Sequence, residues 1–172
     1  MDVHILVLAH LAARGIGQRL IVTEPLGLHM QRDLERPYDT VESRLREGPE
    51  LWLPGFARDG ERITGELSYV QGGARIRRHT QVNVGPVQRF AYGVTVQVGW
   101  KGATHPELYP ELEGHLRLEP RQPSGAILRF DARYTPPGGR VGASVDRALM
   151  HRVAESTVRD FVDGVAERLA AG

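Results

Sequence analysis

The sequence of 172 residues contains no cysteine. That excludes disulfides, thiolate zinc sites and a cysteine nucleophile, and it fits a reducing compartment, with the cytoplasm as the default location. Lysine is nearly absent too: Lys101 stands alone, and every other basic residue that can count toward the charge is an arginine, the better bidentate partner for carboxylate or phosphate. With 22 basic against 21 acidic side chains the formal charge is only +1. The arginines are scattered rather than blocked, so the expectation is no nucleic acid and no anionic membrane as partner. No apolar run reaches the roughly 20 residues of a membrane span, which predicts no stable membrane insertion. The stretch from Val3 to Ala13 falls short of that length and follows Asp2 rather than the basic start of a signal peptide. Residues 1–17 therefore read as an N-terminal extension, able to pack on a single domain over residues 18–172.

Recognisable catalytic templates are missing as well. There is no nucleophile-elbow serine, no phosphate-cradling glycine loop before a helix and no His-Glu zinc helix. Gly72-Gly73 and Gly138-Gly139 read as turns. Nothing in these patterns implies a cofactor or a metal.

What is present is an ordinary globular composition, 41% hydrophobic and 25% charged, in a chain of one-domain size that can bury a single core. Period-two alternation dominates its middle. The clearest run places Phe90, Tyr92, Val94, Val96, Val98 and Trp100 on one face. Similar alternation occurs in Ile63 to Tyr69, Leu112 to Leu118 and Leu128 to Tyr134, and more weakly in Ala74 to Val84 and Leu26 to Leu34. Turn residues such as Gly85-Pro86 and Gln122-Pro123-Ser124-Gly125 separate these runs, which predicts an antiparallel meander.

Two helical stretches frame the meander. The first opens at Asp39 with Glu42 three residues on, the spacing of a capping box, and Gly48-Pro49 stops it. The second is expected from about Ala143 to Ala170, with Ala154, Val158, Phe161, Val162, Val165 and Leu169 on one stripe and Ser156, Asp160, Asp163 and Glu167 opposite. A long apolar stripe and a single sheet predict an α+β fold in which about six or seven strands curl around the terminal helix.

Strand, small helix, Trp-Leu-Pro-Gly, meander and long terminal helix follow one another in an order that resembles the SRPBCC superfamily, which includes START-type, Bet v 1-like and polyketide cyclase-like helix-grip proteins. The resemblance covers about residues 26–170. It is carried by Glu35-Arg36-Pro37-Tyr38-Asp39-Thr40-Val41 continuing to Leu51-Trp52-Leu53-Pro54-Gly55, and by Arg133-Tyr134-Thr135-Pro136-Pro137-Gly138 followed by Asp146. It implies a helix-grip fold. Members of that superfamily bind lipids, sterols, hormones and aromatic polyketides, and some act as chaperone partners.

A helix fitted imperfectly into a curved sheet leaves room for an apolar ligand. The inward strand phase makes Tyr69, Tyr92, Trp100, Phe130 and Tyr134 candidate wall residues, against the alternative that they simply fill the core. Arg32 and Arg78 fall in phase with apolar neighbours. A buried charge there must pair with an acid, reach solvent or meet an anionic ligand group, unless a register slip turns it outward. His151 lies near the helix stripe, one turn from Glu155, and is a candidate contact or acid/base group, against the alternative of a helix-flank histidine. His105 and His115 read as exposed, and Asp146 as an acid favoured at a helix start.

The leading functional expectation is non-catalytic binding of a mostly apolar, lipid-like or polyketide-like small molecule between sheet and helix, by a monomer or homodimer. A cyclase or dehydratase using His151 and a pocket tyrosine is the alternative. A partner-binding module is the third reading, hinted at by Val145, Leu149 and Val153 lying off the main stripe.

Overall fold

The computed structural model describes residues 26–71, 73–101, 111–135 and 147–171. The N-terminal extension, His105, Val145, Asp146 and the Pro-Pro-Gly-Gly stretch lie outside the described residues. So do the side chains of Tyr69, Ile76, Arg78 and Leu149.

Among the described residues eight strands form one antiparallel sheet: β1 (Leu26–Leu34), β2 (Ala57–Asp59), β3 (Arg62–Gln71), β4 (Ala74–Val84), β5 (Gln88–Phe90), β6 (Gly93–Lys101), β7 (Glu111–Pro120) and β8 (Ala126–Thr135). Their spatial order is β1-β8-β7-β6-β4-β3-β2, with β5 paired to β6. The six longer strands coincide with the alternating runs of the sequence. The two extra strands, β2 and β5, have three residues each, too short for alternation to register.

Alternation does its work in β7 and β8. Leu112, Gly114, Leu116 and Leu118 face inward on β7, as do Ala126, Leu128, Phe130, Ala132 and Tyr134 on β8. Pairing register lines these residues into rows across the concave face, such as Val82–Trp100–Leu112–Tyr134 and Val96–Leu116–Phe130.

Among the described residues three helices accompany the sheet: α1 (Tyr38–Glu47), α2 (Pro49–Trp52) and α3 (Arg147–Ala170). The capping box expected at Asp39 does not form. The N-cap position falls two residues earlier, at Pro37, whose carbonyl accepts from the amides of Thr40 and Val41, with no side-chain cap. Pro37 has no N–H to leave unsatisfied and its fixed φ suits a helix entry. Asp39 is left exposed in the first turn, and Glu42 is engaged elsewhere. Between α1 and α2, Gly48 takes φ +147°, a backbone region open to glycine, and the chain turns there. The buried indole of Trp52 then donates its N–H to the Leu45 carbonyl at 3.2 Å and locks the two helices together.

At 24 residues, α3 is about 36 Å long. Its expected stripe is the buried one: Ala154, Val158, Phe161, Val162, Val165 and Leu169 are all buried. The helix touches β1 at one edge of the sheet and β3 next to the other edge, so the sheet wraps it from both sides. Its C-terminal carbonyls are capped from the α1 region. Arg36 Nε donates to Ala170 O at 2.9 Å and Arg44 Nε to Arg168 O at 3.0 Å.

Gly164 brings α3 onto the loop after α2. A Cβ at that position would stand 2.8 Å from Pro54 Cγ, a ring that cannot swing aside. Alanine is favoured over glycine in a helix by about 1 kcal/mol, whereas overpacking costs about 1–3 kcal/mol. Gly164→Ala is therefore expected to lower stability by about 1 kcal/mol in urea unfolding; a gain of that size would show that the close contact with Pro54 does not exist.

Candidate functional site

The space between sheet and α3 is where an apolar ligand was expected, and its centre is filled by aromatic side chains. Trp100 and Phe130 stack at 6.2 Å between ring centroids, and Phe161 of α3 leans on both, at 5.1 Å and 5.3 Å. All three are buried. Gly114 on β7 makes room for this cluster, since a Cβ there would meet Phe130 at 2.8 Å and Ala132 at 2.9 Å.

Phe161 also lines a groove of about 380 Å³ between β3–β4 and α3, together with Pro54, Ser68, Arg75, Asp160 and Gly164. The groove thus has an aromatic residue continuous with the core and a charged rim. Along that rim Ser68 donates its hydroxyl to Asp160 at 2.6 Å, Arg75 approaches the same carboxylate at 3.4 Å, and Arg77 stands 3.7 Å from Glu66. On the opposite flank Arg32 of β1 pairs with Asp163 of α3. Asp160 and Asp163, expected on the solvent face, therefore fasten the helix to both sides of the sheet.

Of the candidate residues, the structure brings Trp100, Phe130 and Tyr134 to the concave face. Tyr134 is 2% exposed, and its hydroxyl is buried without a hydrogen-bond partner among the described residues. Burial pushes its pKa up to about 12, because the phenolate would be desolvated. Arg32 follows the first of the outcomes open to it, pairing with an acid. Arg78 lies opposite Leu67 and Tyr69 opposite Ile76 in the β3–β4 register, their side chains being outside the described residues. His151 is half-buried with Nε2 3.3 Å from Glu155, one helical turn away. His115 is exposed on the outer face.

Tyr92 is a correction. It does not share the inward face of β6 but sits with Ala91 in the two-residue connection between β5 and β6, 75% exposed. The turn interrupts the strand between Phe90 and Gly93. Backbone approach explains why Gly93 opens β6: a Cβ there would lie 2.0 Å from the Leu118 carbonyl oxygen.

Tyr92 instead borders a second, shallower depression of about 540 Å³, with Tyr38, Arg89, Phe90, Glu119 and Pro120. Behind it lies the buried Glu42, whose carboxylate accepts from Arg46 at 2.8 Å and from Arg89 at 3.3 Å. The Arg46 hydrogen bond, aided by the Tyr38 hydroxyl and by Arg89, holds the Glu42 carboxyl below the usual range against the opposing effect of burial. The Tyr38 hydroxyl is pushed up to about 12, first by burial and then by Glu42. This network was hidden from the sequence because Arg89 is 47 positions from Glu42. Among the described residues no group of three His, Asp or Glu side chains converges on a possible metal position, and no helix is long and apolar enough to cross a membrane.

An open antiparallel sheet clasping one long terminal helix, with a small helical pair after the first strand, defines the helix-grip class of α+β domains. Known structures place the chain within it. A conserved protein from Geobacillus kaustophilus superposes with a TM-score of 0.55 at 19% identity, over 85% of this chain and 96% of that one. Norcoclaurine synthase from Thalictrum flavum gives 0.51 at 12% identity over 89% and 93%, and Ara h 8.0201 gives 0.50 at 11% over 86% and 99%. No protein-family model matches the sequence, and no curated protein matches it. The chain has the Bet v 1/SRPBCC-type fold.

The charge network at Glu42 has a pH signature. A carboxyl held below its unfolded value of about 4.3 stabilises the fold fully above that value, and the contribution is lost as pH falls through the folded value. Glu42→Gln is expected to cost about 1–2 kcal/mol at pH 7 and progressively less below about pH 4. Urea unfolding of both proteins from pH 7 to pH 3 measures this; a deficit that widens toward acid would contradict the assignment.

Proposed function

We propose that the protein binds a mostly apolar small molecule, lipid-like or polyketide-like, between the sheet and α3. The observation that carries this reading is the groove of about 380 Å³ at the sheet–helix boundary, where Phe161 joins the solvent-facing opening to the buried Trp100–Phe130 cluster. An apolar body gains about 25 cal/mol for each Å² removed from water, and aromatic faces offer that area with little rotamer entropy to lose. Arg75, Arg77, Glu66 and Asp160 form the charged rim of the groove, and Phe161 and Pro54 are its apolar lining.

The fold supports the reading without specifying the ligand, since one architecture hosts binders and enzymes alike. Norcoclaurine synthase shares the architecture and is by name an enzyme. In this chain the groove offers Ser68, held by Asp160, while His151, beside Glu155, stands outside its lining. Binding therefore stands ahead of turnover.

Native mass spectrometry of the freshly purified protein, followed by organic extraction, is expected to show a mass adduct of small-molecule size that the extraction removes. Phe161→Glu, which sets a charge where the groove meets the core, is expected to abolish the adduct. A well-folded protein that carries no adduct and takes up no apolar probe would defeat the binding reading.

A further inference from the structure

Tyr134 is the last inward residue of β8. Across the sheet its row continues through Leu112, Trp100 and Val82, all buried and offering no side-chain oxygen. Its ring is well placed as core, but its hydroxyl is not: fully buried, it has neither a backbone nor a side-chain partner among the described residues. Tyrosine hydroxyls in interiors are almost always paired. Phenylalanine would fill the same volume without stranding a donor, so packing alone does not account for this oxygen. A hydroxyl desolvated in advance, on a residue of the concave face, is a ready donor for a group that arrives from outside.

The chemistry of that group follows from the surroundings. Burial keeps the phenol protonated, its pKa standing at about 12, so the oxygen has a proton to give across the whole physiological range. The apolar row around it disfavours a carboxylate or phosphate, whose charge would be desolvated there. Arg32, the one described cation of β1 in phase with the interior, is already held by Asp163. A neutral oxygen acceptor meets both conditions.

We infer that Tyr134 is the polar recognition point of the ligand site, and that the bound molecule is an apolar compound presenting a carbonyl of the ketone, aldehyde, ester or lactone class to the tyrosine hydroxyl. This rests on the small-molecule reading above and adds the ligand's functional group to it. One such hydrogen bond in a dry site is worth about tenfold in affinity.

Two fluorescent probes separate the two readings. Diphenylhexatriene is a hydrocarbon without a polar atom; 6-propionyl-2-(dimethylamino)naphthalene carries one ketone, and its emission moves to the red when that ketone accepts a hydrogen bond. Wild-type protein is expected to bind both. Tyr134→Phe is expected to bind the hydrocarbon unchanged, to bind the ketone about tenfold more weakly, and to shift the emission of the bound ketone to the blue. The ligand-free variant is expected to melt at the same temperature as the wild type or higher, because it lacks an unpaired buried hydroxyl. Ketone affinity and emission unaffected by the substitution would overturn the inference while leaving the binding reading intact. So would equal weakening of both probes, or a lowered melting temperature with unchanged ketone binding, which would assign the hydroxyl to the fold. If neither probe binds the wild type, the binding reading fails and this inference fails with it.

Discussion

Everything in this molecule depends on one apolar stripe being clasped from two directions. Ala154, Val158, Phe161, Val162, Val165 and Leu169 cover a helical face about 100° wide, and a flat sheet can cover only part of such a face. Contact with β1 and β3, which lie far apart in the strand order, requires the sheet to bend around the helix. Each fully buried Val, Leu or Phe in the stripe contributes about 1.5–3 kcal/mol. The curvature is thus a consequence of burial, and the concave interior is a consequence of the curvature.

Apolar contact is non-directional and does not by itself fix how far the helix slides or rolls within its trough. The polar pairs at the two flanks supply that direction. Asp163 meets Arg32 on one side, while Asp160 meets Ser68 and Arg75 on the other. Half-exposed ion pairs of this kind are worth little individually. Their effect here is on orientation: two carboxylates three residues apart on one helix, each facing a different flank, fix its roll. They also explain why the groove beside Phe161 has a charged rim, since the groups that fasten the helix are the groups that border the opening.

How much of this could be read from the sequence differs by the kind of interaction. Alternation identified the six long strands and helical periodicity identified the stripe, because both are local patterns driven by burial. Tyr92 was misplaced for a definite reason. A loop of two residues inserts an even number of positions, so the even phase running through Phe90, Tyr92 and Val94 passes unbroken across the turn, and no period-two count can detect it. Asp39 and Glu42 have the spacing of a capping box, yet Arg46 and a distant Arg89 offer the glutamate stronger, charge-assisted partners. Arg32 was recognised as an inward cation with three possible fates. Its actual partner is 131 positions away, beyond the reach of any local rule.

Tyr134 shows the limit of pattern reading most sharply. By periodicity it is one more inward residue, indistinguishable from Phe130 two places earlier, and both are buried on the same strand face. Only the finished packing separates them: Phe130 is completed by Trp100 and Phe161, whereas Tyr134 brings into the interior an oxygen that no neighbouring group satisfies. Consistency among local preference, packing and polar satisfaction is the rule in folded proteins, and departures from it gather where function constrains the sequence. The aromatic triad obeys that rule. The Tyr134 hydroxyl departs from it within the same concave face, a difference that packing alone does not explain.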